Sequence, residues 1–449
     1  MNYQEFKQAV IKYAADNNIK DYELYYSNSD ETSVEIFMTE VKGFNSATSC
    51  GVCFRCVVDG QVGYASTENM TDEEAESIVV RAIENAKSLE TEAPAFIHKQ
   101  GDTYLTLEEE DHVPPTAAEL VDFALDLQKE IYKQDERVID GSQAYAGYGS
   151  GERAIYNSNG LDLCDSGSFD YCYGLAIVSD GKEMYNGIHI KAGKLAEIDK
   201  TEVAKEAVKE AVETIGYTSV DSGEYTVVFS NEVMASLLSV YSSIFSAEAA
   251  QKGLSLLKDK EGEMIAADII TITDDPVYKD ALSKATFDDE GAATYTKNVV
   301  ENGQFKTLLY NLATAAKAGV KTTGNGYKGS YASTVGINHY SFYINPVKGS
   351  LEDLFVEAGN GVYITSVEGM HAGANPITGD FSLSSGGFKI EDGKKTTPIK
   401  GITISGNFLQ LMKDITSVGE DLKFNPGALS AHRCGSPSVL VPGMKIAGK

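Results

Sequence analysis

Three cysteines at Cys50-x-x-Cys53-x-x-Cys56 have the spacing that opens a bacterial ferredoxin run, where thiolates hold iron. That chemistry needs a fourth cysteine where Gly60 stands. The run also reads as a strand, whose period of two sends Cys53 and Cys56 to opposite faces. Small buried apolar residues are therefore expected here. Gly324-Asn325-Gly326-Tyr-Lys-Gly329 matches the dinucleotide fingerprint letter by letter, but the fingerprint requires a strand before it and a helix after it. Here a helix-like stretch, 308 to 320, precedes and strand-like residues follow, so a loop is expected. No Walker loop and no Gly-x-Ser-x-Gly elbow occurs. The histidines, at 98, 112, 189, 339, 371 and 432, form no i,i+4 pair and show no spacing to a second metal ligand. His371 alone lies beside a glycine-rich loop, and loop packing or hydrogen bonding is favoured over catalysis because no orienting partner is visible.

That loop, Gly369 to Gly387, is the least ordinary passage of the chain. Its glycines permit backbone shapes closed to other residues, while Asn375, Asp380 and the serines offer side-chain hydrogen bonds. The Asp380 carboxylate is expected to accept backbone N–H bonds that hold the loop, and Phe381 to be buried. An Asp392-Gly393 turn follows and predicts a hairpin whose first strand leaves the loop.

The string Asn375-Pro376-x-x-Gly379-Asp380-Phe381-Ser382, the later "P-I-K-G" segment, the helix after Asn407 and the closing "R-C-G-S…M-K-I-A-G" together resemble the TldD/PmbA family of peptidase-related proteins. The likeness covers nearly the whole chain, with Val41 through Thr67 and a central β-rich part besides this C-terminal third, and is greatest to the PmbA (TldE) branch. In the peptidase branch a helix carries His-Glu-x-x-x-His, two imidazoles holding zinc and a glutamate taking a proton from the metal-bound water. The resemblance places Ser239 and Ile244 where those histidines would be, Val240 where the base would be, and Cys434 at the retained third ligand. It implies no zinc and no other cofactor, since hydroxyl and alkyl groups do not replace imidazole; Cys434 is then a leftover or packing residue. It also makes Gly324 and Asn325 part of a C-terminal loop.

The elements that must carry these residues read as α+β. An amphipathic helix over 3–16 leads into extended runs at 22–26, 32–38, 41–49 and 52–58, with Asp59-Gly60 turning the chain into 61–65. Capping boxes at Thr71 and Thr116 start two further helices, and another spans 201–215 and stops at Gly216. The acidic run Glu108 to Asp111 before Pro114-Pro115 reads as a solvated connection. Three units follow: 1–110, an antiparallel sheet with covering helices; 111–216, a helix with a β-rich segment; and 217–449, a β-rich unit with a long helix over 231–257.

Sixty-six acidic against thirty-eight basic residues give a formal charge of −28, which repels nucleic acid and anionic membrane surfaces. No apolar run of spanning length and no secretory leader pattern is seen, so a cytoplasmic location is expected, and six cysteines are too few for a disulfide framework. The resemblance implies a metal-free subunit pairing with a zinc-bearing TldD-like relative to act on peptides, with Asn375, Gly379, Asp380 and Phe381 shaping a cleft wall. A homodimer that binds peptides or small molecules without cleaving them is equally compatible with lost ligands. A third alternative is a hydrolase using Ser239 or Cys434 as nucleophile.

Overall fold

The computed structural model describes residues 1–88, 96–107, 112–425 and 431–449; the expected acidic connection at 108–111 lies outside the described residues. The chain begins with α1 (Tyr3–Asp16), β1 (Tyr22–Phe37), β2 (Glu40–Val58), β3 (Gln61–Thr67) and α2 (Asp72–Ser88). The same order then recurs as α3 (Ala117–Gln134), β4 (Gln143–Asn157), β5 (Asp162–Ser179), β6 (Met184–Gly193) and α4 (Lys200–Glu213). Both repeats enter one antiparallel sheet in the order β3-β2-β1-β4-β5-β6, joined where β1 pairs with β4.

Local chemistry sets these boundaries. Asn2 and Thr116 close full capping boxes, and Thr71 accepts the Glu74 N–H, so three helices start where an oxygen satisfies an orphan donor. Asp59 and Gly60 both take positive φ, 50° and 78°, the paired left-handed geometry of a two-residue hairpin turn. The apolar stripes of α1 and α2 bury Phe6, Val10, Ile78 and Ala82 against Leu24 and Phe54. Those of α3 and α4 bury Leu127, Ile131 and Ala207 against Val34, Ala144 and Ala176.

The four short runs expected in 22–58 are two long strands. Polar residues 27–33 stay extended because β1 is hydrogen-bonded on both sides, Ser29 standing opposite Ser49 of β2 and Gly151 of β4.

The C-terminal half starts with β7 (Gly223–Phe229), α5 (Asn231–Tyr241), α6 (Ala247–Gln251), β8 (Ile272–Asp275), β9 (Lys297–Glu301) and β10 (Gln304–Phe305). It continues through α7 (Leu312–Ala318), β11 (Gly326–Tyr327), β12 (Gly336–Ile337), β13 (Ser341–Ile344), α8 (Leu351–Ala358), β14 (Gly361–Glu368) and α9 (Met370–Gly373). It ends with β15 (Asp380–Glu391), β16 (Lys394–Asn407), α10 (Phe408–Asp414), β17 (Ser417–Val418), β18 (Lys423–Phe424), β19 (Arg433–Ser436) and β20 (Val439–Ala447). Two six-stranded sheets result, β10-β9-β8-β13-β19-β18 and β16-β15-β14-β7-β20-β17, and the second curls until β16 also pairs with β20. Both contribute to one core, in which Leu237, Leu238 and Tyr241 of α5 meet Phe245, Phe342, Ile404 and Val441.

Three expectations for this half change. The helix over 231–257 is broken: α5 ends at Tyr241, a 3₁₀ turn covers Ser242–Phe245, and Ser246 is extended at ψ 125° with its hydroxyl accepting the Ala249 N–H that starts α6. Serine bonding to its own backbone competes with helix continuation. The helix expected from 308 begins only at Leu312, where Asn311 and Thr314 form a reciprocal cap. The glycine-rich passage is a loop only over 374–379, between α9 and strand β15, whose Gly387 lets the Tyr363 carbonyl of β14 approach to 1.9 Å of where a Cβ would sit.

Candidate functional site

Cys434 sits on β19, parallel to β13 and opposite Phe342, at the edge of the core under α5. Its Sγ lies 3.5 Å from His339 Nε2, and the Ser239 hydroxyl of α5 hydrogen-bonds the same sulfur. His339 Nδ1 lies 2.7 Å from the Tyr340 carbonyl, which can only accept. The proton is therefore on Nδ1, Nε2 is an acceptor, and the Cys434 S–H donates to it. Burial pushes the thiol far above its ordinary range and holds His339 below its own, so the contact is a neutral thiol–imidazole pair.

The position that the resemblance matches to zinc thus has one thiol with the His339 imidazole beside it, one hydroxyl and one alkyl chain. Ser239 reaches Cys434, Ile244 is buried in the 3₁₀ turn, and Val240 packs against the core. Such a donor set does not fit zinc, which asks for three or four imidazole, thiolate or carboxylate groups, and among the described residues no cluster of three such side chains is placed to hold a metal. A shallow space of about 290 Å³ opens beside this point, walled by His339, Asn338, Ser242, Ser246 and Leu254.

A larger cavity of about 490 Å³ lies between the N-terminal sheet and the C-terminal half. Its floor is β1, β4 and β5, with Tyr25, Arg153 and Phe169; its roof includes Asp289, Tyr327, Lys328, Tyr340 and His432. His432 stacks on Tyr340 and donates from Nδ1 to the His339 carbonyl, and burial pushes its pKa down to about 4.

The segment 285–294 plugs the halves together. Asp289 Oδ1 accepts from Arg153 at 2.8 Å and from the Tyr25 hydroxyl at 3.2 Å, while Asp165 accepts the Thr286 N–H and hydroxyl, both at 2.8 Å. Deeper in, Arg55 bridges Glu23 at 2.9 Å and Glu290 at 3.3 Å, all three nearly sealed from solvent. Burial raises the pKa of Glu23 although Arg55 opposes the shift. Asp288, which accepts three backbone N–H bonds from Glu290, Ala292 and Gly326, is likewise raised by burial and by Glu290.

Asn325 belongs to this scaffold. It is fully buried, donates to Asp274 Oδ2 and the Asn338 carbonyl, and lies 3.3 Å from Lys297. Burial would raise Asp274, but Lys297, Asn325 and the Tyr340 N–H outweigh it and hold the carboxyl low. Gly324 has φ 69° and no room for a Cβ, which would lie 2.5 Å from the Ala293 carbonyl. The fingerprint-like string is a loop, as expected, with β11 and no helix after it.

The other loop is positioned through α5. Tyr241 donates to the Asp380 carbonyl at 2.8 Å, two residues past Ser239. Asn375 accepts the N–H groups of Ile377 and Thr378 around Pro376, and Phe381 is 3% exposed, within the core. The expected role of the Asp380 carboxylate is corrected: it is exposed and accepts from the Asn407 side chain at 3.0 Å, not from backbone N–H groups. Those donors are met by the Asn375 side chain, which reaches them over two and three residues. Gly379, at φ 82°, has Asn407 and Leu256 where a Cβ would go. His371 is exposed on α9 and is not brought to Cys434. Cys53 and Cys56 lie in different cores, on opposite faces of β2 as the period required.

Sequence reasoning missed His339, Arg55, Glu23, Arg153, Lys328 and Glu290. For two a signal existed: Glu23 and Arg55 are single charges inside the apolar runs Tyr22 to Tyr26 and Val52 to Val58, and a charge in a buried strand must be paired.

The comparisons with known proteins agree along the chain. Residues 222–448 match the PmbA/TldA metallopeptidase C-terminal domain, residues 22–86 domain 1 and residues 110–215 the central domain of that family. An uncharacterised protein of Methanocaldococcus jannaschii is 31% identical over 402 residues, covering 87% of this chain and 90% of the relative. A metalloprotease PmbA homologue of Haemophilus influenzae is 26% identical over 332 residues, 73% of this chain and 69% of that one. A crystal structure from Thermotoga maritima, described as a candidate modulator of a DNA gyrase, superposes with TM-score 0.89 at 31% identity over 99% of this chain and all (100%) of the other. TldE of Thermococcus kodakarensis has the same fold, with TM-score 0.89 at 23% identity over 99% of this chain and 100% of that one. Among the described residues no helix is long and apolar enough to cross a membrane.

Proposed function

Because the chain belongs to the PmbA/TldD metallopeptidase family, whose homologues support a peptidase-related role, we propose that it is the metal-free, non-hydrolytic subunit of a peptidase assembly, paired with a zinc-bearing TldD-like relative. The observation that carries this is the Cys434–His339 pair. The two groups able to bind a metal at this point are spent on each other as thiol and neutral imidazole, with a serine hydroxyl as the third neighbour. The same geometry speaks against Cys434 as a nucleophile, which needs a thiolate and access. Ser239 is directed at a protonated thiol, and among the described residues no histidine or carboxylate hydrogen-bonds its hydroxyl, so it is not activated.

In this reading Asn375, Gly379, Asp380 and Phe381 form a rigid rim tied to α5 through Tyr241, and the assembly acts on peptides in the cytoplasm. The cavity between the halves supports a second reading, a homodimer that binds peptides without cleaving them. Elemental analysis and peptidase assays with and without a co-expressed zinc-bearing relative separate the two. Cleavage only with the relative present supports the first. Binding without cleavage in either preparation supports the second, and cleavage by the chain alone overturns both.

A further inference from the structure

The cavity between the halves contains a cation that the interdomain network leaves over. Arg153 is engaged by Asp289, Asp165 and the Phe287 carbonyl. Lys328, within the glycine-rich string, also lines the cavity and is 7% exposed. Its backbone N–H is held by Asp289 at 2.7 Å, but among the described residues its ammonium has no hydrogen-bond acceptor and no ion pair. Its neighbours are ring faces, Tyr25 at 4.8 Å and Tyr64 at 5.9 Å from the centroids. Ring quadrupoles return only part of the hydration that a buried ammonium gives up.

The carboxylates of the same wall are committed elsewhere. Asp289 and Asp165 serve Arg153, Glu31 accepts from Tyr171, Asp30 accepts from Thr48, the exposed Glu152 faces the Cys164 thiol, and the deeper Glu23 is held by Arg55, attracting Lys328 only from beyond ion-pair distance. What remains, among the described residues, is one ammonium that meets no carboxylate at hydrogen-bond distance and sits among aromatic walls, with Gly151 and Gly167 keeping the floor open. A ligand complementary to it has one carboxylate beside apolar or aromatic groups.

We propose that Lys328 anchors the carboxylate of a short peptide in this cavity, with Tyr25, Phe169 and Tyr327 taking its apolar side chains. This rests on the peptide-directed reading above, but its test involves neither zinc nor cleavage, so either can fail without the other. The full-length chain alone is titrated calorimetrically with three acetylated tripeptides: Phe-Ala-Phe as free acid, the same peptide as C-terminal amide, and Phe-Glu-Phe as amide. The free acid is expected to bind at least about tenfold tighter than its amide, the effect of one charge-assisted contact. Lys328→Met is expected to reduce the acid to the affinity of the amide while the melting temperature does not fall. If the Phe-Glu-Phe amide equals the free acid, the anchored carboxylate can come from a side chain; if it matches the plain amide, it is the chain terminus. Equal binding of all three, binding of none at millimolar peptide, or an acid preference that survives in Lys328→Met overturns the proposal. If Lys328→Met does not fold, the acid–amide comparison on the unmodified chain still decides.

Discussion

Cys434 Sγ and His339 Nε2, 95 positions apart in the chain, face each other at 3.5 Å with the proton on sulfur. The pairing depends on the Tyr340 carbonyl, which fixes the imidazole tautomer, and on burial, which disfavours both charged forms. It turns the retained cysteine from a candidate ligand into a packed polar pair.

The first prediction concerns metal and thiol reactivity. The purified chain is expected to contain no stoichiometric zinc, and Cys434 to resist alkylation until the protein unfolds, while the exposed Cys164 reacts. One tightly held zinc per chain by elemental analysis, or rapid labelling of Cys434 in the native state by mass spectrometry, counts against the pair as described.

Asn407 is expected to matter more than Asp380 for the rim. It caps α10 by accepting from Gln410, and its amide donates to the Thr378 carbonyl and to Asp380. Asn407→Ala should cost about 1–2 kcal/mol, the scale of a lost cap. Asp380→Asn keeps an acceptor oxygen for Asn407 and should leave reconstituted cleavage nearly unchanged, with Asp380→Ala weaker. If Asp380→Asn is inactive at unchanged melting temperature, the residue is a catalyst and not part of the scaffold.

The Arg55 bridge ties the two halves. Glu290→Ala leaves Arg55 neutralised by Glu23 alone and removes its second acceptor, so it should destabilise by about 1–3 kcal/mol, the scale of a buried hydrogen bond to a charged group. It also strips the Leu312 N–H of the acceptor it finds in Glu290 at 2.7 Å. Urea unfolding measures this, and a loss under about 1 kcal/mol would mean that the bridge is dispensable.

Stability should fall with acid in a window set by His432. Its folded pKa is about 4 against an ordinary value of 6.5, so between these the unfolded chain binds the proton and the folded chain does not. The contribution is complete above pH 6.5 and is lost as pH falls towards 4, up to about 3 kcal/mol. His339, also held below its ordinary range, acts with the same sign. Denaturation of the parent and His432→Gln at pH 7 and pH 5 should show a smaller drop in the variant; equal drops would place the proton elsewhere.

Much of this was legible from residue order. Capping boxes at Thr116 and Ser350, paired turns at Asp59-Gly60, Asn302-Gly303 and Asp392-Gly393, and the split of Cys53 and Cys56 between faces are local events, governed by backbone sterics and hydrogen bonds within a few residues. The family likeness came from the order of such local strings, which is how Ser239 and Cys434 were singled out. What tertiary structure alone decided is which distant groups meet. His339 reaches Cys434 because β13 and β19 run parallel side by side, Arg55 finds Glu290 because segment 285–294 inserts against the N-terminal sheet, and the Lys328 ammonium meets no acceptor among the described residues because Asp289 is taken by Arg153, Tyr25 and the Lys328 backbone N–H. Such pairings depend on register between strands far apart in sequence and on the desolvation that follows when the halves close. Neither has a local signature, since the same histidine, arginine or lysine on an open strand would simply remain in water.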